Sequence, residues 1–482
     1  MMPLINRLFP QPRRWLLWAG AGFLFRLAFI WFPRASDDDT ADYLQLGHNL
    51  LHYGVYGLGN VGDVAPTLFR VPGYPILLAT FEQLFSRAWP GSWMNTVLIF
   101  QAIVDVAGGL LLSSFARRHL SGRAAEFALV LAMLCPFTAA FTGVALTESL
   151  SVFAIALGIY AADLALIAER NGRHDLPVLI LAGCAGALAA LLRPDGALLC
   201  MVLAAGLFWY TLHPNTLENR WRPRLGRALG ATAIYCLVAL LPLAVWTLRN
   251  FVQFRTFQPL APRYLNDPGE RYNAGYYRWM RTWAVEYVTT ANVFWHVGLE
   301  KIEPDDLPPR AFDSDAQREQ TLRLIAEYNV NDSISAELDS RFAALATERI
   351  RAHPFSYYMG VPFLRVADML LRPRTWEFNL DPFWWRWSED RGQTMFAVLI
   401  FVINLFFVGA SILAFVRGRV PWAWMLGGYV LLRLMFLGTM ENSEPRYTLE
   451  CFPVFIIATA AMFEGQRNAG TESTLCQPDR AL

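Results

Sequence analysis

The sequence predicts an all-α polytopic membrane protein built on a bundle of about ten transmembrane helices. Three observations lead there. Apolar residues make up 55% of the 482 positions and charged ones 17%, against roughly 25% charged in ordinary globular domains. Mean hydropathy is +0.30. Arginines, finally, recur on alternate connections between apolar runs. With 41 basic and 40 acidic residues the net charge is +1, which offers no field for a polyanion. A nucleic-acid binder, a soluble enzyme and a disordered chain are all disfavoured.

A membrane helix needs about 20 mostly apolar residues to cross roughly 30 Å of hydrocarbon. Runs of that kind fall near 15–33, 93–116, 124–144, 147–168, 177–193, 196–212, 228–248, 394–416, 420–440 and 448–464. The first is long and aromatic, contains Arg26 and lacks a small-residue cleavage site, so it reads as a span rather than a leader. Arg7, Arg13 and Arg14 precede it, and the positive-inside rule places that end in the cytoplasm. Alternation then puts Arg117, Arg118 and Arg123 on the same side, with Arg170 and Arg173, Arg220 to Arg227, Arg417 and Arg419, and Arg467. The expected location is a bacterial cytoplasmic (inner) membrane, with both termini cytoplasmic.

Two polar segments collect on the opposite side: an outer loop at 34–92 and a longer stretch at 250–393. The division expected is 1–249 as an N-terminal transmembrane module, 250–393 as a mostly helical extracytoplasmic segment, 394–465 as C-terminal transmembrane helices and 466–482 as a disordered cytoplasmic tail. Leu338, Phe342, Leu345 and Ile350 recur at helical spacing, which predicts an amphipathic helix over 335–352 ending before Pro354. Trp376, Phe383, Trp384, Trp385 and Trp387 suit the membrane–water boundary. Cys135, Cys184, Cys200 and Cys236 lie in apolar runs with no CxxC spacing and read as core hydrophobes. Arg26 and Asp105 sit near mid-span; an isolated charge there costs at least about 2.5–3.5 kcal/mol, so the two are expected to pair structurally.

The remaining acids gather at the outer ends of spans: Asp37, Asp38, Asp39 and Asp42, then Glu148, Asp195, Glu441 and Glu444. Chemistry on that face would need a substrate carried by the membrane. The outer loop reads DDDTADYLQLGHNLLHYGVYG and then APTLFRVPGYPILLA. Tyr43, Leu46, Leu50 and Leu51 share a helical face after an acidic first turn that suits the helix dipole. His48 and His52 lie on the same helix without a metal-ligand partner in sequence, Asp195 after Pro194 reads as a turn residue, and Tyr447 is an interface anchor or a sugar-stacking ring. Arg433 could face a phosphate or a carboxylate.

The acid four positions before an aromatic, the helix ending in NLL and a glycine turn, and R-x-PGYP resemble the GT-C glycosyltransferases. The nearest group is the bacterial family-39-like and Rgt-like enzymes, related to protein O-mannosyltransferases and lipid A aminoarabinose transferases. LTESL at 146–150, LLRPDG at 191–196, WTLRNFVQF at 246–254 and PRYTLECFP at 445–453 match in order, so the likeness spans most of the chain. It implies a GT-C-like bundle and a polyprenyl-phosphate sugar donor whose monosaccharide passes to an envelope glycolipid, glycan or protein.

Asp39 stands at the proposed catalytic base of that family and Glu148 at its second acidic position. Thr40 occupies a place acidic in many relatives, which leaves Asp38 or Asp37 as alternative bases. Arg70, Arg193, Arg249 and Arg446 are candidates for the donor phosphate, and Tyr43, Tyr74 and Tyr447 for lining the substrate. A phosphate leaves without protonation, so one base suffices and a single-step inverting transfer is expected. No metal ligand is named, and a divalent cation between Asp39 and Glu148 is left open. Two rival readings share the composition: a transporter or flippase for polyprenyl-linked sugars, for which inverted repeats and broken helices would be expected, and a glycan ligase or polymerase.

Overall fold

The computed structural model describes residues 12–31, 38–60, 62–213, 221–295, 297–388 and 390–464. The expected tail at 466–482 and Asp37 lie outside them. The described chain is helical, with one two-stranded ribbon, β1 (Gly57–Leu58) against β2 (Ala65–Pro66).

In chain order the N-terminal half contains α1 (Pro12–Trp31), α2 (Asp38–Tyr53), α3 (Gly73–Phe85), α4 (Trp93–His119), α5 (Gly122–Met133), α6 (Pro136–Ala140), α7 (Glu148–Arg170), α8 (Leu176–Leu192), α9 (Ala197–Leu212) and α10 (Trp221–Phe254). Short connections make neighbours antiparallel. Their starts are set locally: the Ser121 side chain accepts from the Ala124 amide, and that of Asp175 from the Val178 amide, each satisfying a donor orphaned at a helix N-terminus.

Six described helices are long and apolar enough to cross a membrane, not ten: Trp93–His119, Gly122–Gly143, Glu148–Arg170, Pro194–Leu212, Arg224–Phe254 and Arg391–Val416. The other expected runs are helical but shorter or more charged. Pro194 stops Leu176–Leu192 at 17 residues, since proline bars its predecessor from helical geometry. Ala423–Gly438 has 16 residues, and α1 carries Arg13, Arg14 and Arg26. Along α10, Leu237, Leu240, Leu241, Val245 and Leu248 are exposed; an apolar face of this kind is expected where lipid replaces water.

Arg26 and Asp105 pair as expected. Arg26 Nε donates to Asp105 Oδ2 at 2.6 Å, and its other donors reach the carbonyls of Gly22, Ala132 and Met133 at 2.9–3.0 Å.

The segment between α10 and the C-terminal spans has its own apolar core. It contains α11 (Ala274–Arg281), α12 (Tyr287–Val293), α13 (Asp315–Asn331), α14 (Ala336–Ala352) and α15 (Val361–Leu371). The expected amphipathic helix is α14, capped by Ser335 and burying Leu338, Phe342, Leu345 and Ile350. Phe342 packs on Tyr276 and Trp279 of α11. Asp267 accepts from the Leu68 amide at 2.6 Å, and Arg365 donates to the Gly438 carbonyl at 2.8 Å, so the segment is tied to both the outer loop and the final helices. Those are α16 (Arg391–Val416), α17 (Ala423–Gly438) and α18 (Phe452–Ala461), the last preceded by a 3-10 turn at Pro445–Cys451.

Candidate active site

Five stretches distant in sequence meet at one end of the bundle: the first turn of α2, the loop into α3, the start of α7, the turn after α8, and the 3-10 turn before α18. Two glycines permit the approach. A Cβ on Gly73 would lie 2.6 Å from the Leu191 carbonyl oxygen, and one on Gly196 would lie 2.1 Å from that of Ala189. The PGYP turn can therefore seat against the end of α8, and the RPDG turn can fold back on it.

Asp39 is held between two guanidiniums. Arg70 donates to Oδ1, and Arg446 Nη2 donates to Oδ2 at 2.7 Å. Asp42 stands 3.8 Å from Arg70, and Glu444 Oε1 lies 2.9 Å from Arg446 Nε. Burial pushes the Asp39 carboxyl upward, but Arg446 and Arg70 outweigh it and hold the group below its ordinary value. Arg70 also lies over the rings of Phe69 and Tyr43, and its buried Nε makes no hydrogen bond among the described residues.

Arg193 organises the other half. Its Nη1 donates to Glu148 Oε1 at 3.0 Å, while its Nε lies 3.1 Å from Glu450 and 3.3 Å from Asp195. Behind it Arg433 bridges Asp195 at 2.9 Å and Glu450 at 2.7 Å. Tyr447 joins the halves: Arg193 and Arg446 approach its ring at 5.5 and 5.6 Å, Arg433 donates to its carbonyl, and Asn442 donates to its hydroxyl at 3.2 Å. Arg433 thus faces carboxylates. Asp195 is an ion-pair partner as well as a turn residue, which corrects the sequence expectation.

The cluster brings together Asp39, Glu148, Arg70, Arg193, Arg446, Tyr43 and Tyr447. Two candidates fall away. Arg249 spends its donors on the carbonyls of Tyr56 and Thr67 at 2.8 and 3.0 Å, which pins the outer loop. Tyr74 is fully buried edge-on to Tyr43 and donates to Gln101 at 2.7 Å, so it supports the lining rather than forming it. Asp38 is described only as the first residue of α2. Sequence reasoning missed Glu450 and left Asp195 and Arg433 without their shared role. The signal lay in PRYTLE, where Glu450 follows Arg446 by one helical turn. Asp39 and Glu148 each face guanidiniums, and the one described group of His, Cys, Asp and Glu with metal-holding geometry lies elsewhere, at His48, His52 and Glu82.

Four guanidiniums therefore stand among six carboxylates (Asp39, Asp42, Glu148, Asp195, Glu444 and Glu450). Asp42, Asp39, Arg70 and Arg193 are the accessible members, with 34%, 21%, 18% and 15% of their side chains exposed. Such an arrangement presents preorganised donors for an anion next to a carboxylate able to accept a proton.

No family model and no curated protein matches the sequence. Solved structures do. The Archaeoglobus fulgidus oligosaccharyltransferase AglB, in complex with an inhibitory peptide and a dolichol-phosphate, aligns with a TM-score of 0.50 at 13% identity, over 95% of this chain and 50% of that one. This chain has the GT-C fold. The same oligosaccharyltransferase tethered to an acceptor peptide containing the NVT sequon aligns at 0.49 and 15% identity, covering 94% and 49%. ArnT from Cupriavidus metallidurans bound to undecaprenyl phosphate aligns at 0.39 and 13%, covering 93% and 77%. The chain spans about half the length of the oligosaccharyltransferase.

Proposed function

We propose that this GT-C protein is a membrane glycosyltransferase that moves a sugar from a polyprenyl-phosphate donor to an envelope acceptor on the extracytoplasmic face. The observation that carries the reading is the partly exposed Asp39 carboxylate clamped by Arg70 and Arg446 at one end of the bundle. The dolichol-phosphate on the oligosaccharyltransferase of like fold supports a lipid phosphate as the donor chemistry. The basic helix ends at Arg117, Arg118, Arg170, Arg417 and Arg419 lie opposite the cluster and support its extracytoplasmic placement.

In the proposed reaction an acceptor hydroxyl oxygen bonds to the anomeric carbon while the bond from that carbon to the lipid phosphate oxygen breaks. The configuration inverts, the acceptor proton passes to Asp39, and the electron pair leaves on the phosphate. Arg70 and Arg193 present planar forks that bind a phosphate bidentately. Glu148 and Asp195 hold Arg193 ready, and Tyr43 and Tyr447 line the sugar.

The clamp has a consequence for order. A carboxylate held below its ordinary value is a weak base, poorly matched to proton abstraction. An incoming phosphate draws Arg70 away from Asp39, the carboxyl rises, and the base becomes effective only when the donor is in place. Purified protein incubated with radiolabelled polyprenyl-phosphate sugars and membrane acceptors tests the reading. Label should move to acceptor from at least one donor, and transfer by Asp39→Asn should fall by about 10²–10⁴.

The name of that neighbour, an oligosaccharyltransferase, favours one second reading: the cargo is a preassembled glycan rather than a single sugar. Lipid-linked oligosaccharides in the same donor panel separate the two.

A further inference from the structure

Away from this cluster, His48 and His52 lie one turn apart on α2 and face Glu82 of α3. His48 Nδ1 is 3.0 Å and His52 Nε2 is 3.1 Å from the same oxygen, Glu82 Oε1. The ligand atoms of all three residues lie within 4.8 Å of one another, and the imidazole rings are 4.2 Å apart. We propose that His48, His52 and Glu82 form a zinc-class cation site that clips α2 to α3.

The donor set argues for that class. Two imidazole nitrogens and one carboxylate oxygen make a three-ligand set that suits zinc, with the fourth position left to water or another ligand. Magnesium prefers oxygen ligands in an octahedral shell and is poorly served here. Spacing of i and i+4 puts both histidines on one face of the helix, and the third ligand comes from a different element, so an ion would cross-link two helices. Access is open: the histidine side chains are about half exposed, while Glu82 is 14% exposed and thus held in place. A cavity of about 480 Å³ lies against all three, bordered by Gln45, Asn49, Tyr53, Asn60 and Trp93, with room for a water at the fourth position.

The role follows from position. His48 stands nine residues along α2 from Asp39, about 13–14 Å at 1.5 Å per residue, so the ion does not touch the reacting atoms. It fixes the helix that carries Asp39 against the helix that follows Arg70 and the PGYP turn. His48 and His52 are positioning residues in this scheme, and the site stands whether or not the chain transfers sugar.

The test uses the full chain in detergent, stripped with a chelator and retitrated with zinc chloride. Calorimetry and elemental analysis should show one zinc bound tightly per chain, at micromolar or lower dissociation constant, and a higher thermal midpoint with zinc. His48→Gln and His52→Gln should each weaken binding at least tenfold and abolish the thermal shift, while Asp39→Asn should keep both. Magnesium should not substitute. Failure of the wild-type chain to take up stoichiometric zinc would overturn the proposal, leaving Glu82 a hydrogen-bond acceptor for two histidines. Undiminished zinc in the His48→Gln/His52→Gln variant would overturn it equally. The wild-type titration decides the matter even if a variant fails to fold.

Discussion

Two arginine–aspartate pairs in this molecule share their chemistry and differ in everything around it. Arg26 and Asp105 are closed off, with 1% and 3% of their side chains exposed, and backbone carbonyls take the remaining donors of the guanidinium. Arg70 and Asp39 are 18% and 21% exposed, Asp39 is shared with a second arginine, and the buried Nε of Arg70 has no partner among the described residues. The first pair is saturated and can only hold two helices together. The second has an exchangeable partner on one side, so an anion can compete for the guanidinium. Burial of a charge pair is poor evidence of function; incomplete satisfaction beside an open face is the better sign.

Substitutions should separate the pairs. The largest effect on activity is expected from Asp39→Asn, a loss of about 10²–10⁴ in transfer rate with little change in thermal midpoint, read by label transfer and by unfolding of the same preparation. Asp105→Asn should do the reverse. It leaves Arg26 buried without its counter-charge, and breaking a buried pair costs about 3–5 kcal/mol; thermal unfolding in detergent should show the drop, while any protein that folds transfers at near-normal rate.

Arg70→Lys should come next, because a lysine loses the bidentate fork. The donor KM is expected to rise roughly tenfold, about 1.4 kcal/mol, with a smaller change in kcat, whereas Arg26→Lys should leave KM unmoved. The smallest effect concerns pH. In the free protein the depressed Asp39 carboxyl stays ionised above its ordinary range and takes up a proton only as pH falls below it. The acid limb of kcat/KM, which reports the free enzyme, should therefore lie below the ordinary carboxylate range. That of kcat, which reports the donor complex, should lie higher. Coincident limbs would mean that the donor does not loosen the clamp.

What the sequence disclosed follows the range of the interactions. Ala336–Ala352 was legible because its periodicity and Ser335 cap are local. Arg26 with Asp105 was legible because two opposite charges in apolar runs have few other ways to be tolerated. Asp39, Arg70 and Arg193 were found through side of membrane and motif order.

Contacts that depend on which helix end meets which were not readable. Arg249 has the right helix-end position, yet the carbonyls of Tyr56 and Thr67 claim it. Tyr74 has the right neighbours, yet lies beneath Tyr43. Glu82 carried no signal in the sequence because the histidines it faces belong to another element. Two of the ten expected runs form shorter helices because Pro194 and the 3-10 turn at Pro445–Cys451 interrupt them in ways that average hydropathy does not register.

Donor binding and sugar transfer measured side by side in Asp39→Asn bear most directly on the central claim. A fluorescent polyprenyl-phosphate sugar should bind the variant at least as tightly as the wild type, since the clamp on Arg70 is gone, while transfer from that donor falls at least about a hundredfold. Transfer at the wild-type rate with binding intact would contradict the assignment of Asp39 as the base and, with it, the account of the clamp.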